Sequence, residues 1–389
     1  MHQKDEKENK SPYRTAQYNY EKAFLDEMIK LNDTYIISLY QQENFPKNDI
    51  IFYRNKYKKN NVKIDYIPYI NLPFIKEAMI FVCACINIFK WSYSNKGKNK
   101  CILANIHYAP LSLAIVIMGK ILNIKRVITF TDLSLYTYSK EKIRKMKWYK
   151  KIVIKPYIKL VNKLQKSYDL YILFSKQMNN IVNPFNKPFI VMEGIYNNDL
   201  LNLEKVKKEK AIAYAGKLNK EVGVDKILQV FSKIKDKDIK LWLLGSGDME
   251  NEIIRASKKD NRIKFLGFKN RKEVFEYLKK AKVLVNLRNP EYEYTKYSFP
   301  SKTFEYMVSG TPFVTSKLEG IPDEYKNYIF FTEYDDKSII KKIEEILQMN
   351  EKETEILGDK AREFVLKNKT AINQVGKINK FLTKNIFDK

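Results

Sequence analysis

The alternation between Ala211 and Ser316 constrains this chain more than any other feature. Short apolar runs, "AIAYA", "KLWLLGSGD", "IKFLGF", "VLVNL" and "PFVTS", are separated by helical patterns such as "VDKILQVFSKI", "MENEIIRASKK" and "RKEVFEYLKKA". Strands that come one per helix cannot pair through tight hairpins. They require a parallel sheet covered by helices on both faces. In such sheets ligands bind beyond the carboxyl ends of the strands. Residues that come directly after a strand are therefore the first candidates for chemistry.

The first half repeats the theme less regularly. "DTYIISLY", "CILANI", "RVITF", "DLYILF" and "PFIVM" read as strands, and "PLSLAIVIMGKIL" and "KWYKKIVIKPYIKLVNKLQKS" as helices. Residues 1–14 are too charged and polar for a buried strand, so the first regular element is the helix "QYNYEKAFLDEMIKL". A doubly wound domain normally opens on a central strand and a glycine turn. Neither is present, so the first domain is expected either to lack that strand or to start downstream of it. At 389 residues the chain exceeds one ordinary core. The expected division is 1–196, 197–369 and a C-terminal helix over 370–389 that packs back towards the first domain. The first boundary lies in the polar stretch "NNDLLNLEKVKKEK".

Charge narrows the partners. The net charge is +27, and residues 1–200 carry 33 basic against 16 acidic residues, so the first half is the more basic. Such a surface favours polyanions: nucleic acid, an anionic membrane or phosphorylated ligands. No helix-turn-helix, zinc-finger or RNP-like pattern accompanies the charge, which disfavours nucleic acid. From Lys140 to Lys166 there are 11 Lys/Arg and one Glu. Ile152, Ile154, Tyr157, Ile158, Leu160, Val161 and Leu164 recur there at helical spacing. This reads as a basic amphipathic helix on an anionic membrane, with Lys142, Arg144, Lys145, Lys147, Lys150 and Lys151 as the facing cations. The alternative is a core-packed helix with a solvated lysine face. Arg54, Lys56, Lys58, Lys59 and Lys63 form a second basic cluster. The longest apolar run, "AMIFVCACINIF", is 12 residues, too short to span a bilayer, and reads as a buried helix. The start, "MHQKDEKENK", lacks the apolar core of a signal peptide. Three cysteines cannot form a disulfide framework, so a reducing cytoplasm is expected. No His/Cys cluster has zinc spacing, and no metal site is expected.

Three strand-end segments of the second half stand out. In "YSFPSKTFEYMVSGTPFV", Pro300 suits the first turn of a helix, Ser298 or Ser301 can cap it, and Gly310 with Pro312 end it. Phe304, Met307 and Val308 share the core-facing side. The helix start then lies at the ligand edge, where free N–H groups favour an anion. Lys302 adds a full charge there, and Glu305 can accept hydrogen bonds from a diol such as a ribose. "YAGKLNKEVG" places Gly216, Lys217 and Lys220 at the same edge, and "LLGSGD" adds Gly245. Three such loops on one sheet point to a phosphate-bearing nucleotide. In the first half, His107 ends one strand, and Thr131 and Asp132 follow the next.

These motifs, in this order and spacing, resemble the nucleotide-binding domain of group 1 glycosyltransferases (glycosyltransferase family 4), most closely the capsular and exopolysaccharide enzymes with a "FPSK" helix. The resemblance is specific over Ala211–Tyr325 and weaker in the first half. It implies the α/β GT-B fold, two Rossmann-like doubly wound domains facing across a cleft, here without the first strand of the N-terminal domain. It further implies hexosyl transfer from a nucleotide sugar, a UDP- or GDP-sugar, with retention, no cofactor and no metal. The acceptor would be a saccharide or lipid-linked saccharide in bacterial surface polysaccharide synthesis, at the inner face of the cell membrane. Glu305 matches the family's ribose-binding Glu, Lys217 its diphosphate-binding Arg, and His107 its cleft histidine associated with the donor sugar and catalysis, so that His107, Lys217 and Lys302 are the expected catalytic residues. Lys302 would add charge for the diphosphate, with Gly216, Gly245 and Ser301 beside it. Asp132 and Tyr297 fall on the acceptor or sugar side. Tyr297 stands where the family has a second Glu, and Val222 where it has a Lys. These departures keep two other readings open: a non-catalytic binding or assembly partner, and another GT-B enzyme such as a nucleotide-sugar epimerase.

Overall fold

A computed structural model describes residues 12–40, 45–59, 62–104, 108–133, 146–197, 204 and 206–387. The chain divides into two units, Met1–Glu193 with Val375–Lys389, and Gly194–Gln374.

Unit 1 opens with α1 (Pro12–Leu31), β1 (Tyr35–Ser38), β2 (Ile51–Phe52), β3 (Asn55–Lys59), β4 (Val62–Tyr66) and β5 (Tyr69–Ile70). It continues through α2 (Ile75–Ser94), β6 (Cys101–Ala104), α3 (Ala109–Ile121), β7 (Lys125–Phe130), α4 (Trp148–Gln165), β8 (Leu170–Leu173), α5 (Asn179–Val182) and β9 (Phe189–Val191). β6 to β9 form a parallel sheet in sequence order. β4 pairs parallel with β1 and antiparallel with β3, and β2 pairs antiparallel with β5.

The β3–β4 hairpin carries most of the second basic cluster. Arg54 Nε and Nη2 donate to Asp65 at 3.0 and 2.5 Å, and Tyr35 Oη donates to the same carboxylate at 2.8 Å. Asp65 is buried; burial alone would raise its pKa, but the bonds from Arg54 and Tyr35 outweigh that and lower it. Arg54 is therefore a structural cation. Lys56 and Lys58 stand exposed on β3, the edge strand, where lysine discourages pairing with another chain.

Two helices bury only part of their apolar surface, which for the first departs from expectation. The "AMIFVCACINIF" segment lies in α2 and is buried on one side only. Ile80, Ala84 and Ile88 enter a core with Leu111 and Ala114 of α3, whereas Val82, Ile86 and Phe89 are exposed. In α4, Val161 and Leu164 are buried but Ile152 and Leu160 are exposed, so its apolar side is narrower than the spacing suggests.

Between β7 and β8 an ion pair closes the unit. Arg126 Nε and Nη2 donate to Asp169 at 2.7 and 2.8 Å, and the Arg126 backbone N–H adds a third bond at 2.9 Å. Burial would raise the Asp169 pKa, but Arg126 overrides it and holds the carboxyl below its ordinary value. Its contribution to stability is thus complete above the unfolded-state carboxyl pKa and is lost as pH falls through the lower folded value. Arg126→Ala is expected to cost about 3 kcal/mol by stranding a largely buried carboxylate. Denaturant midpoints read this cost, and the mutant's deficit should shrink on acidification.

Unit 2 holds β10 (Glu209–Lys217), α6 (Val224–Phe231), β11 (Lys240–Ser246), α7 (Glu250–Lys259), β12 (Ile263–Gly267), α8 (Arg271–Lys280) and β13 (Ala281–Asn286). Then come α9 (Lys302–Val308), β14 (Phe313–Ser316), β15 (Phe330–Thr332), α10 (Asp336–Gln348) and α11 (Glu351–Asn368). The final helix, α12 (Ala371–Ile386), begins in unit 2 and continues in unit 1. All six strands are parallel, in the order β12-β11-β10-β13-β14-β15. Strand order reverses between β10 and β13, so the ligand crevice of such a sheet lies beyond their carboxyl ends.

The period-2 alternation of β10 explains why both faces are covered. Ala211, Ala213 and Ala215 enter one core with Phe275 of α8 and Phe304 and Met307 of α9. Ile212 and Tyr214 enter the other with Ile227 of α6 and Ile343 of α10. The small alanine face lets α9 approach closely, and Tyr306 Oη reaches the backbone of Ala215, donating to its carbonyl at 3.3 Å and lying 2.9 Å from its N–H.

Candidate functional site

The carboxyl edge of the six-stranded sheet gathers the candidate residues of unit 2. Lys217 ends β10 and is exposed; its carbonyl accepts a 2.9 Å bond from Tyr214 Oη. Gly216 and Gly245 are register partners at the ends of β10 and β11. Gly245 has φ 132°, and a Cβ there would lie 1.8 Å from the Gly216 carbonyl oxygen. The glycine is thus required by the approach of one loop to the other, with or without a ligand.

The next turn of this loop fixes Val222. Asn219 Oδ1 accepts from the Val222 N–H at 3.2 Å, and Val222 packs against the core below. Gly223 follows with φ 84°, and a Cβ there would sit 1.7 Å from the Leu287 carbonyl oxygen. Gly223→Ala is expected to destabilise the protein by about 1–3 kcal/mol through overpacking and backbone strain. Chemical denaturation checks it; an unchanged midpoint would mean that the two loops do not abut.

The "FPSK" segment leads into α9, of seven residues; the helix starts at Lys302, so Pro300 precedes it instead of filling its first turn. Phe304, Met307 and Val308 are buried as their spacing predicts. Neither candidate serine caps the helix. Ser301 is already helical (φ −55°, ψ −25°) and makes no capping bond. Ser298 Oγ is buried and has no hydrogen-bond partner among the described residues. Lys302 Nζ donates to Glu305 Oε2 at 2.9 Å. Arg271 Nε, from the first turn of α8, reaches Glu305 Oε1 at 3.4 Å. Burial pushes the Glu305 pKa up, but Lys302 and then Arg271 outweigh it and lower it, so the carboxylate is charged at neutral pH. Arg271 is a site residue that sequence reasoning missed.

A second missed residue is Arg288, two positions beyond β13. Its backbone lies beside Gly223, and its Nε is buried without a hydrogen-bond partner among the described residues. It shares that condition with Asn286 Nδ2, Ser316 Oγ, Ser298 Oγ and Thr303 Oγ1. Asn286 and Ser316 end β13 and β14; Ser298 and Thr303 flank the start of α9. Buried polar atoms are rarely left unpaired, and five of those in unit 2 belong to the segments that end or follow β13, end β14 or flank the start of α9. Tyr297 lies nearby in the chain, half-buried, at the end of a short 3₁₀ turn.

The remaining sequence candidates belong to unit 1. Asp132 is exposed two residues beyond β7, in unit 1. His107, Lys142, Arg144 and Lys145 fall outside the described residues. Lys147 is exposed just before α4, Lys151 is half-buried within it, and Lys150 belongs to α4 by its backbone. Among the described residues, no three His, Cys, Asp or Glu side chains are grouped so as to hold a metal ion.

Residues 198–364 match the family model "Glycosyl transferases group 1". No curated protein matches the chain by sequence. Among solved structures, the chain is similar to an alpha,alpha-trehalose-phosphate synthase (UDP-forming) from Burkholderia vietnamiensis, at 10% identity and TM-score 0.62, covering 92% of this chain and 96% of that one. Anabaena HepE in complex with UDP aligns at 15% identity and TM-score 0.57, over 83% and 86% of the two chains. A mutant of S. aureus TarM, in complex with Fondaparinux, alpha-GlcNAc-glycerol and UDP, aligns at 14% identity and TM-score 0.51, over 81% and 59%. At these identities the likeness concerns the fold. The chain therefore carries a glycosyl transferases group 1 domain over residues 198–364, within an α/β architecture of two Rossmann-like units of the GT-B type.

Proposed function

We propose that this protein is a retaining glycosyltransferase that moves a hexose from a nucleoside diphosphate sugar to a saccharide or lipid-linked saccharide, in bacterial surface polysaccharide synthesis. The observation that carries this reading is the Lys302–Glu305–Arg271 group at the start of α9, on a sheet edge whose strand-end segments also hold unpaired buried polar atoms, Arg288 Nε included. Glu305 would hold the ribose hydroxyls. Arg288, Lys217 and Lys302 would meet the diphosphate, whose charge grows as the bond to the sugar breaks. Fixed cations at that position act without reorganisation, which makes them the main catalytic term.

In the proposed reaction, the bond between the anomeric carbon and the phosphate oxygen breaks. The acceptor hydroxyl bonds to the same carbon from the same face, and its proton passes to the departing phosphate. The nucleotide is assigned as UDP or GDP. UDP is favoured because two proteins of similar fold were solved with it. The cations of the Lys140–Lys166 run would draw the enzyme to the inner face of the cell membrane.

Val222 and Tyr297 support a competing reading, a protein that binds the nucleotide without turning it over. Incubating the isolated protein with UDP-, GDP- and ADP-sugars decides between them. Transfer, or slow hydrolysis, of one donor supports the enzyme. Nucleotide binding without turnover of any donor supports the competitor. A changed sugar with no acceptor requirement would indicate an epimerase.

A further inference from the structure

The surface of α2 carries a feature that the sugar chemistry does not use. Ile75, Ala78, Val82, Ile86, Phe89 and Tyr93 are all exposed. Val82 is 50%, Phe89 52% and Tyr93 74% accessible. At 100° per residue these six positions fall within an arc of about 80° and extend over about 27 Å of helix. The Phe89 and Tyr93 rings stack at 6.5 Å, so the stripe is aromatic at one end. At the other end, Phe74 is 77% accessible and has φ 65°, a conformation that a bulky side chain rarely adopts. Soluble proteins seldom leave a contiguous apolar stripe of this length in water.

The neighbouring helices carry exposed apolar residues as well. α3 packs against α2, and α4 packs against α3. Ile121 at the end of α3, and Trp148 and Ile152 of α4, are exposed too. The three helices contain eight lysines and a single acidic residue, Glu77. Lys90, Lys120, Lys155, Lys159 and Lys163 are exposed. Apolar and aromatic groups interspersed with lysine suit the boundary between headgroups and acyl chains. A second copy of the chain would bring the same lysines together in a protein of net charge +27, which opposes self-association. Among the described residues no helix is long and apolar enough to cross a membrane, so the stripe would lie along the surface.

We infer that the outer face of α2 is an insertion surface for an anionic lipid bilayer, its apolar stripe entering the acyl boundary while the surrounding lysines meet the headgroups. This deepens the proposed membrane location by moving the hydrophobic anchor from the Lys140–Lys166 run to α2. It does not require any sugar transfer to occur.

The test is co-sedimentation of the full chain with vesicles of phosphatidylglycerol and phosphatidylcholine, against phosphatidylcholine alone. Binding to the mixed vesicles is expected, with a part that survives about 1 M salt, where the Debye length is only about 3 Å. Val82→Glu with Phe89→Glu should lower the partition coefficient at least tenfold and abolish the salt-resistant part. Lys155→Glu with Lys159→Glu should remove only the salt-sensitive part. A Phe89→Trp reporter, quenched by lipids brominated on the acyl chain, reads insertion directly and does not depend on the charged variant folding. Absence of quenching, binding that is wholly salt-sensitive, or a dimer dissociated by the α2 substitutions with vesicle binding intact would overturn the inference. Binding data are independent of turnover, so an inactive protein that still inserts would contradict the enzyme reading alone.

Discussion

Glu305→Ala should lower kcat/KM for the nucleotide-sugar donor by roughly 10- to 150-fold, the range for losing a hydrogen bond to a charged group. Glu305 is held by Lys302 at 2.9 Å and Arg271 at 3.4 Å, so its carboxylate is fixed before any ribose arrives. Removing it leaves two cations facing each other, so a loss of stability can mimic a loss of activity. Glu305→Gln separates the two. It keeps an acceptor and the side-chain volume, so it should retain more of the ribose contact than alanine while losing the ion pairs. If both variants fail in proportion to their melting temperatures, Glu305 is a structural residue. If alanine turns over donor normally while folded, the ribose assignment is wrong.

Arg288→Ala should cost more, about 10²- to 10³-fold in kcat, as expected for a cation that meets charge developing on a leaving phosphate. Its stability signature should be the opposite of an ordinary core mutation. Nε is buried and unpaired among the described residues, so its removal relieves the unliganded protein of a desolvated polar group. Melting temperature should stay level or rise while turnover collapses, the pattern of a residue retained for function at the expense of stability. Nucleotide-induced stabilisation, by contrast, should shrink in the variant. A variant that is both active and destabilised would show that Arg288 is a packing residue and that the diphosphate is held elsewhere.

The sequence made these residues legible to very different degrees. The parallel sheet of unit 2 could be read directly because five of its six strands are apolar runs followed by a helix, β14 being the exception. The inward side of α9 emerged from Phe304, Met307 and Val308 for the same reason. Arg271 gave no signal: one more cation in a chain with 72 of them says nothing, and its partner Glu305 is 34 positions away. Arg288 could have been found by inspecting the residues just past every strand, since it lies directly beyond "VLVNL". The β3–β4 hairpin was hidden by its lysines, which look like a solvated charge run until pairing with β4 and β1 is known. The exposed side of α2 was misread because an apolar run alone cannot reveal whether both of its faces are covered.

The passage of α12 from one unit into the other has a consequence for biosynthesis. Unit 1 is discontinuous: it needs residues 375–389 as well as the first 193. Val375, Ile378 and Leu382 are buried, and Asn379 accepts a 3.0 Å bond from Asn32 of the segment after α1. On the ribosome, residues 1–193 must therefore wait for residues 375–389, which are translated after the whole of unit 2. Unit 2, Gly194–Gln374, has its whole sheet available earlier and can fold while the older part of the chain is still incomplete. A nascent chain released at Gln374 would thus carry its defect some two hundred residues upstream of the break. Such a product should be cleared by proteases that enter through the amino-terminal half.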